Sequence, residues 1–260
     1  MNLTIYQIDA FTNEVFKGNP AAVCPLEEWI DESLMQRIAL ENNLAETAFF
    51  VKEGDVYEIR WFTPLAEIDL CGHATLASGF VIFELLKTEN NLVKFHSHKS
   101  GELAVEKQGD RLILDFPARP VSPAQAPDNL TEALGKAPNA VLKARDYFLV
   151  YETEQEILDI TPNFSKLLEI GAHGYIVTAK GDSADFVSRF FAPEVGVPED
   201  PVTGSAHCNL IPYWAEKLGK TELFARQVSA RGGELFCELR GDRVKIGGNA
   251  KLYLKGEIYV

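Results

Sequence analysis

Basic residues are in short supply in this chain: 25 Lys and Arg stand against 38 Asp and Glu, a formal charge of −13. Such a surface repels phosphate backbones and anionic lipid, which excludes nucleic acid and a charged membrane as the main partner. No apolar run reaches the roughly 18–20 residues needed to cross a bilayer. Cysteine is sparse as well. Cys24, Cys71, Cys208 and Cys237 are scattered, with no CxxC spacing. The opening Met1-Asn2-Leu3-Thr4-Ile5-Tyr6 has neither a basic segment nor a signal-type cleavage site, so free thiols in a reducing cytoplasm are expected. What the chain does have is apolar material. Of its 260 residues 46% are hydrophobic, 16 of them Phe, enough for one or two packed cores and too much for disorder.

The pattern along the chain mixes strands with few helices. Leu3 to Phe11 alternates like a strand, and Gly18-Asn19-Pro20 turns the chain into a short apolar strand, Ala21 to Cys24. Asp31-Glu32-Ser33 opens a helix with acidic residues at its positive end, and Asn42-Asn43 closes it. Thr47 to Val51 and Tyr57 to Phe62 read as strands. Gly72 then leads into an apolar helix, Ala74 to Leu86, which other elements must wrap because it is apolar on most faces. Val93 to His96, Gly101 to Lys107 and Arg111 to Phe116 form an antiparallel set. Pro117, Pro120, Pro123 and Pro127 mark a connector. Beyond it come a strand at Tyr147 to Tyr151, a helix over Ile160 to Ile170 and a strand at Tyr175 to Thr178. A second hairpin spans Gly233 to Leu239 and Arg243 to Ile246, and Leu252 to Val260 supplies a last strand.

One stretch occurs twice. Arg60-Trp61-Phe62-Thr63-Pro64 through Asp69-Leu70-Cys71-Gly72-His73-Ala74 is echoed by Arg189-Phe190-Phe191-Ala192-Pro193 through Asp200-Pro201-Val202-Thr203-Gly204-Ser205-Ala206. A shift of 132 superposes Gly204 on Gly72, Gly233 on Gly101, and Gly241-Asp242-Arg243 on Gly109-Asp110-Arg111. Chance would not place the glycines and the hairpin together over some forty residues, so the chain is expected to be a duplicated unit. Each half would be a curled, mostly antiparallel sheet around its own apolar helix. Both helices start at a glycine, where free N–H groups and the positive dipole end suit a carboxylate.

Ile8-Asp9-Ala10-Phe11-Thr12, Gly18-Asn19-Pro20-Ala21-Ala22-Val23, Asn43-Leu44-Ala45-Glu46-Thr47-Ala48-Phe49, Gly72-His73-Ala74-Thr75 and Glu199-Asp200-Pro201-Val202-Thr203-Gly204-Ser205-Ala206 together resemble the phenazine-biosynthesis PhzF-like family over nearly the whole length. The resemblance implies an α+β, diaminopimelate-epimerase-like fold of two pseudo-symmetric lobes with the active site in the cleft between them. Residues 1–116 would form the N-terminal lobe, completed by about 249–260, and residues 117–248 the C-terminal lobe. It also implies a homodimer, no cofactor, and isomerisation of a small carboxylate-bearing metabolite such as trans-2,3-dihydro-3-hydroxyanthranilate.

By the same resemblance Glu46 is the general acid/base. The second half adds a reason: its matching segment, His173-Gly174-Tyr175-Ile176-Val177, has no carboxylate, so Glu46 breaks the repeat. Lodging Glu46 between apolar residues such as Leu44 and Phe49 would raise its pKa toward neutrality, as a proton shuttle needs. His73 and Asp200 are implied as its catalytic companions, and Asn19, Gly72, Gly204 and Ser205 as substrate-binding positions. Each has an ordinary alternative, as a turn or helix-start residue. Cys71 stands where related epimerases carry one of two catalytic thiols, but the second position is Thr203, too weak a base for two-thiol racemisation. Neither Cys71-Gly72-His73 nor His207-Cys208 has usual zinc spacing, so no metal is expected. An amino-acid epimerase of the diaminopimelate type, and a ligand-binding member without catalysis, stay open as alternatives.

Overall fold

Alternating apolar residues give β1 (Asn2–Ala10) a buried face at Ile8 and Ala10, and the strand pairs antiparallel with β2 (Asn19–Leu26). The computed structural model describes residues 1–260, which fall into two units: Met1–Asp115 with Ile246–Val260, and Phe116–Lys245. In the first unit, α1 (Glu32–Asn42) starts at Asp31, whose carboxylate accepts the Ser33 N–H, and stops at Asn43 in the left-handed region, φ 48°. β3 (Glu46–Glu53) runs parallel to β2 and antiparallel to β4 (Val56–Phe62). β5 (Glu67–Ile68) edges β4, and α2 (Gly72–Phe80) follows. β6 (Leu92–Ser97) lies parallel to β4, with β7 (Gly101–Gln108) and β8 (Arg111–Pro117) antiparallel in succession.

The expected helix from Ala74 to Leu86 changes character midway. After Phe80 the chain widens into a π-helical turn, Val81–Leu85. Thr75 and Ser78, which are polar but buried, donate their hydroxyls back to the carbonyls of Cys71 and Ala74, so the apolar surroundings of α2 cost no unpaired hydroxyl. Gly79 is required by packing: a Cβ there would stand 2.8 Å from a Val105 methyl.

The second unit opens with β9 (Ser122–Pro123), α3 (Leu130–Leu134) and β10 (Ala140–Lys143). β11 (Tyr147–Val150), α4 (Glu154–Asp159), α5 (Phe164–Ile170), β12 (Tyr175–Lys180) and β13 (Phe186–Ala192) come next. The helix expected over Ile160 to Ile170 starts later, at Phe164, and a further short helix, α4, precedes it. Thr153 and Glu156 form a capping box that starts α4, and Pro162 with the Asn163 cap delays α5 to Phe164. β14 (Val197–Asp200), α6 (Gly204–Leu218), β15 (Glu222–Gln227), β16 (Gly233–Arg240) and β17 (Arg243–Gly248) follow, and β18 (Ala250–Tyr259) returns to pair with β1. Pro212 inside α6 cannot donate to the Cys208 carbonyl; the Arg119 N–H does so instead, at 2.8 Å.

The duplication holds at the level of strand pairing. β2, β3, β4, β6 and β7 join parallel, antiparallel, parallel, antiparallel, and β11, β12, β13, β15 and β16 repeat that order. Arg60 forks onto Glu67 and Arg189 onto Glu199. The shift of 132 is not gapless, however. Ser97 faces Gly101 as Gln227 faces Gly233, so β6 and β15 are related by a shift of 130 while β7 and β16 keep 132. Two extra residues between helix and strand in the first unit are balanced by two extra in the turn before β16. No helix is long and apolar enough to cross a membrane.

Candidate active site

In the first unit, four side chains meet where β2, β3 and α2 begin. Gly18, at φ +65°, fixes the entry to β2, since a Cβ there would stand 2.1 Å from the Ala10 carbonyl oxygen. It delivers Asn19 as the first, fully buried residue of β2. Glu46 is the first residue of β3, opposite Ala21 of β2. Cys71 caps α2 without a side-chain cap bond, and Gly72 places His73 in the first turn.

Glu46 Oε2 lies 3.0 Å from His73 Nε2. The approach is off the hydrogen-bond line, so both atoms are buried near each other without a well-aligned bond. On the other edge of the ring, His73 Nδ1 is 3.3 Å from Asn19 Nδ2 and 3.4 Å from Cys71 Sγ. Burial disfavours the imidazolium, but the Glu46 charge beside Nε2 and the hydrogen bond to Cys71 at Nδ1 outweigh it and hold the His73 pKa well above 6.5. Burial, with the Glu46 charge beside it, pushes the Cys71 thiol up to about 11, so it is a thiol at neutral pH and no ready base.

Glu46, Cys71 and His73 bring ligand atoms within 4.8 Å of one another. A single ion fits them poorly. Cys71 faces Nδ1 and Glu46 faces Nε2, and the lone pairs of these two nitrogens diverge. The set suits proton exchange across the ring better than coordination.

In the second unit, Asp200, Gly204 and Ser205 share one turn, from the end of β14 to the start of α6. The Thr203 hydroxyl donates to Asp200 Oδ2 at 2.5 Å and accepts from Gln227 Nε2 at 3.1 Å, so its proton and one lone pair are engaged. Gln227 Oε1 accepts the Thr203 N–H at 2.8 Å, and Nε2 also donates to the Asp200 carbonyl at 2.8 Å. His207 Nδ1–H donates to the Thr203 carbonyl at 2.8 Å, and burial drives its pKa down to about 4, leaving a neutral ring. Gln227 and His207 were not among the residues singled out for this site. Gln227 stands 24 positions beyond Thr203 and belongs to no motif. Only the strand register brings it to the turn.

The registers also explain why the second half has no carboxylate matching Glu46. Phe49 pairs with Arg60 as Val177 pairs with Arg189, which makes Gly174 the counterpart of Glu46. A Cβ at Gly174 would stand 2.5 Å from the Phe190 ring and 3.0 Å from Asp146 Oδ1. That niche is closed.

A family model described as "phenazine biosynthesis-like protein" (PhzC-PhzF) matches residues 8–256. An uncharacterized isomerase of Pseudomonas aeruginosa is 51% identical over 260 residues, covering 100% of both chains. A crystal structure of a phenazine biosynthesis protein of the PhzF family from Enterococcus faecalis superposes with a TM-score of 0.98, at 52% identity and 100% coverage of both chains. A hydroxyproline epimerase from Agrobacterium vitis shares the fold alone, with a TM-score of 0.64 at 11% identity, covering 99% of this chain and 92% of that one.

Proposed function

The chain belongs to the PhzC-PhzF phenazine biosynthesis-like family, and on that premise we propose that it is a cofactor-independent isomerase of a small carboxylate-bearing metabolite. Glu46 takes a proton from one carbon and returns it to another, while the electron pair moves through the conjugated system. Nothing is oxidised or reduced. His73 exchanges protons with Glu46. Asp200 and Asn19 hold polar groups of the substrate, and the Gly72 and Gly204 turns with Ser205 receive its carboxylate. The observation that carries this reading is a buried Glu46 Oε2 paired with His73 Nε2 at 3.0 Å. A carboxylate beside a titratable imidazole can accept a carbon-bound proton and exchange it across the pair.

The diaminopimelate-type epimerase reading needs a second base at Thr203. The engagement of that hydroxyl with Asp200 and Gln227 counts against it. We further expect a cytoplasmic homodimer, which sedimentation of the purified protein tests for assembly.

The decisive experiment incubates the protein in D2O with a panel of carboxylates, trans-2,3-dihydro-3-hydroxyanthranilate included, and follows deuterium at carbon by NMR. Glu46→Gln is expected to slow the uptake by about 10²- to 10⁴-fold. Equal uptake by mutant and wild type refutes the role of Glu46. Silence of the wild type over the whole panel favours a ligand-binding member without catalysis.

A further inference from the structure

We propose that Gln227 is a positioning residue that fixes Asp200 and the Gly204 turn in their working arrangement, an inference that rests on the function proposed above. Gln227 ends β15 and is 1% exposed. Its amide can point only one way. The Thr203 N–H is a donor and must meet Oε1, and the Asp200 carbonyl is an acceptor and must meet Nε2. The remaining Nε2 hydrogen goes to the Thr203 oxygen, at 3.1 Å. That oxygen, once an acceptor, must aim its own hydrogen elsewhere, and Asp200 Oδ2 is 2.5 Å away. A directed chain therefore runs from the Gln227 amide through the Thr203 hydroxyl to the Asp200 carboxylate.

Thr203 gives up its usual task for this. A threonine at a helix N-cap ordinarily accepts an N–H of the first turn, whereas Thr203 makes no such bond. The first unit shows that the frame itself does not demand the arrangement. There the register counterpart of Gln227 is Ser97, whose hydroxyl accepts the Lys99 N–H within its own turn. Cys71, the counterpart of Thr203, likewise makes no side-chain cap bond. The pin occurs only in the half that carries Asp200.

Two variants separate positioning from simple satisfaction of buried backbone. Gln227→Met fills the volume with no polar atom. Gln227→Glu, as a carboxylate, keeps an oxygen for the Thr203 N–H but removes both donors, so the Thr203 hydroxyl is shared between two carboxylates and Asp200 loses its fixed partner. The first readout, amide hydrogen exchange at Thr203 by NMR on ligand-free protein, needs no substrate. Exchange is expected to rise roughly tenfold or more in Gln227→Met and to change little in Gln227→Glu. The second is kcat and KM for deuterium uptake with trans-2,3-dihydro-3-hydroxyanthranilate, or with whichever panel carboxylate the wild type labels. Gln227→Glu should lower kcat roughly tenfold while KM moves less, the mark of lost orientation. Unchanged Thr203 exchange in Gln227→Met overturns the proposal, and so does wild-type kcat in Gln227→Glu. If the wild type labels nothing, the isomerase reading fails by itself. Thr203 exchange then decides alone whether Gln227 holds the turn.

Discussion

His207 offers a test in which the magnitude follows from the structure. The ring is fully buried on α6, its Nδ1–H is given to the Thr203 carbonyl, and its Nε2 has no partner, with the Phe186 ring centroid 5.9 Å away. A second proton has nowhere to go. In the unfolded chain the group titrates near 6.5, and in the folded protein near 4. Over that interval the unfolded state binds more protons, so folding stability falls as pH drops from above 6.5 toward 4 and levels off below. At about 1.4 kcal/mol per unit, the loss between pH 7 and pH 4 is on the order of 3 kcal/mol. Carboxylates titrate in the same range, so the measurement is a difference. Urea unfolding of wild type and His207→Met is compared at steps from pH 7.5 to pH 4. His207→Met carries a constant offset for the lost hydrogen bond, and its disadvantage should shrink as pH falls. A difference that stays flat across the range would refute a neutral, buried His207.

His73 should behave with the opposite sign. Its folded pKa is raised, so the stability it contributes is complete below about 6.5 and is lost as pH rises through the folded value; Tm measured against pH should show this fall in wild type and not in His73→Gln. Gly174→Ala forces a Cβ against Phe190 and Asp146 and should lower stability by about 1–3 kcal/mol, whereas an unchanged denaturation midpoint would mean the niche is open. Arg189, 12% exposed at its side chain, holds Glu199 and the carbonyls of Ile157 and Ile160. Arg189→Met should therefore cost about 3 kcal/mol in urea unfolding.

Much of this molecule is legible without coordinates. Period-two alternation announces the strands, Asp31 and Asn43 bound the first helix, and the doubled Gly-led stretch declares two units of like build. Glu46 stands out because its half has a carboxylate where the other has none. The misses share a cause. The missed helix α4 was written in the capping box of Thr153 and Glu156, and the late start of α5 in Pro162, local signals outweighed by an apolar run. The two-residue slip between halves is invisible to a count that balances itself before the next glycine.

What the sequence determined by itself is whatever depends on near neighbours: strand or helix, cap or turn, and the order of the duplicated parts. Tertiary structure alone decided which polar atoms meet. Only the packing of β2, β3 and α2 sets Glu46 and Asn19 on opposite edges of one buried imidazole. Only the register of β15 carries Gln227 back to Thr203 and Asp200. The reason is physical. A hydrogen bond needs its partners within about 3 Å and in line, and a chain order fixes neither for residues that lie 24 or 54 positions apart.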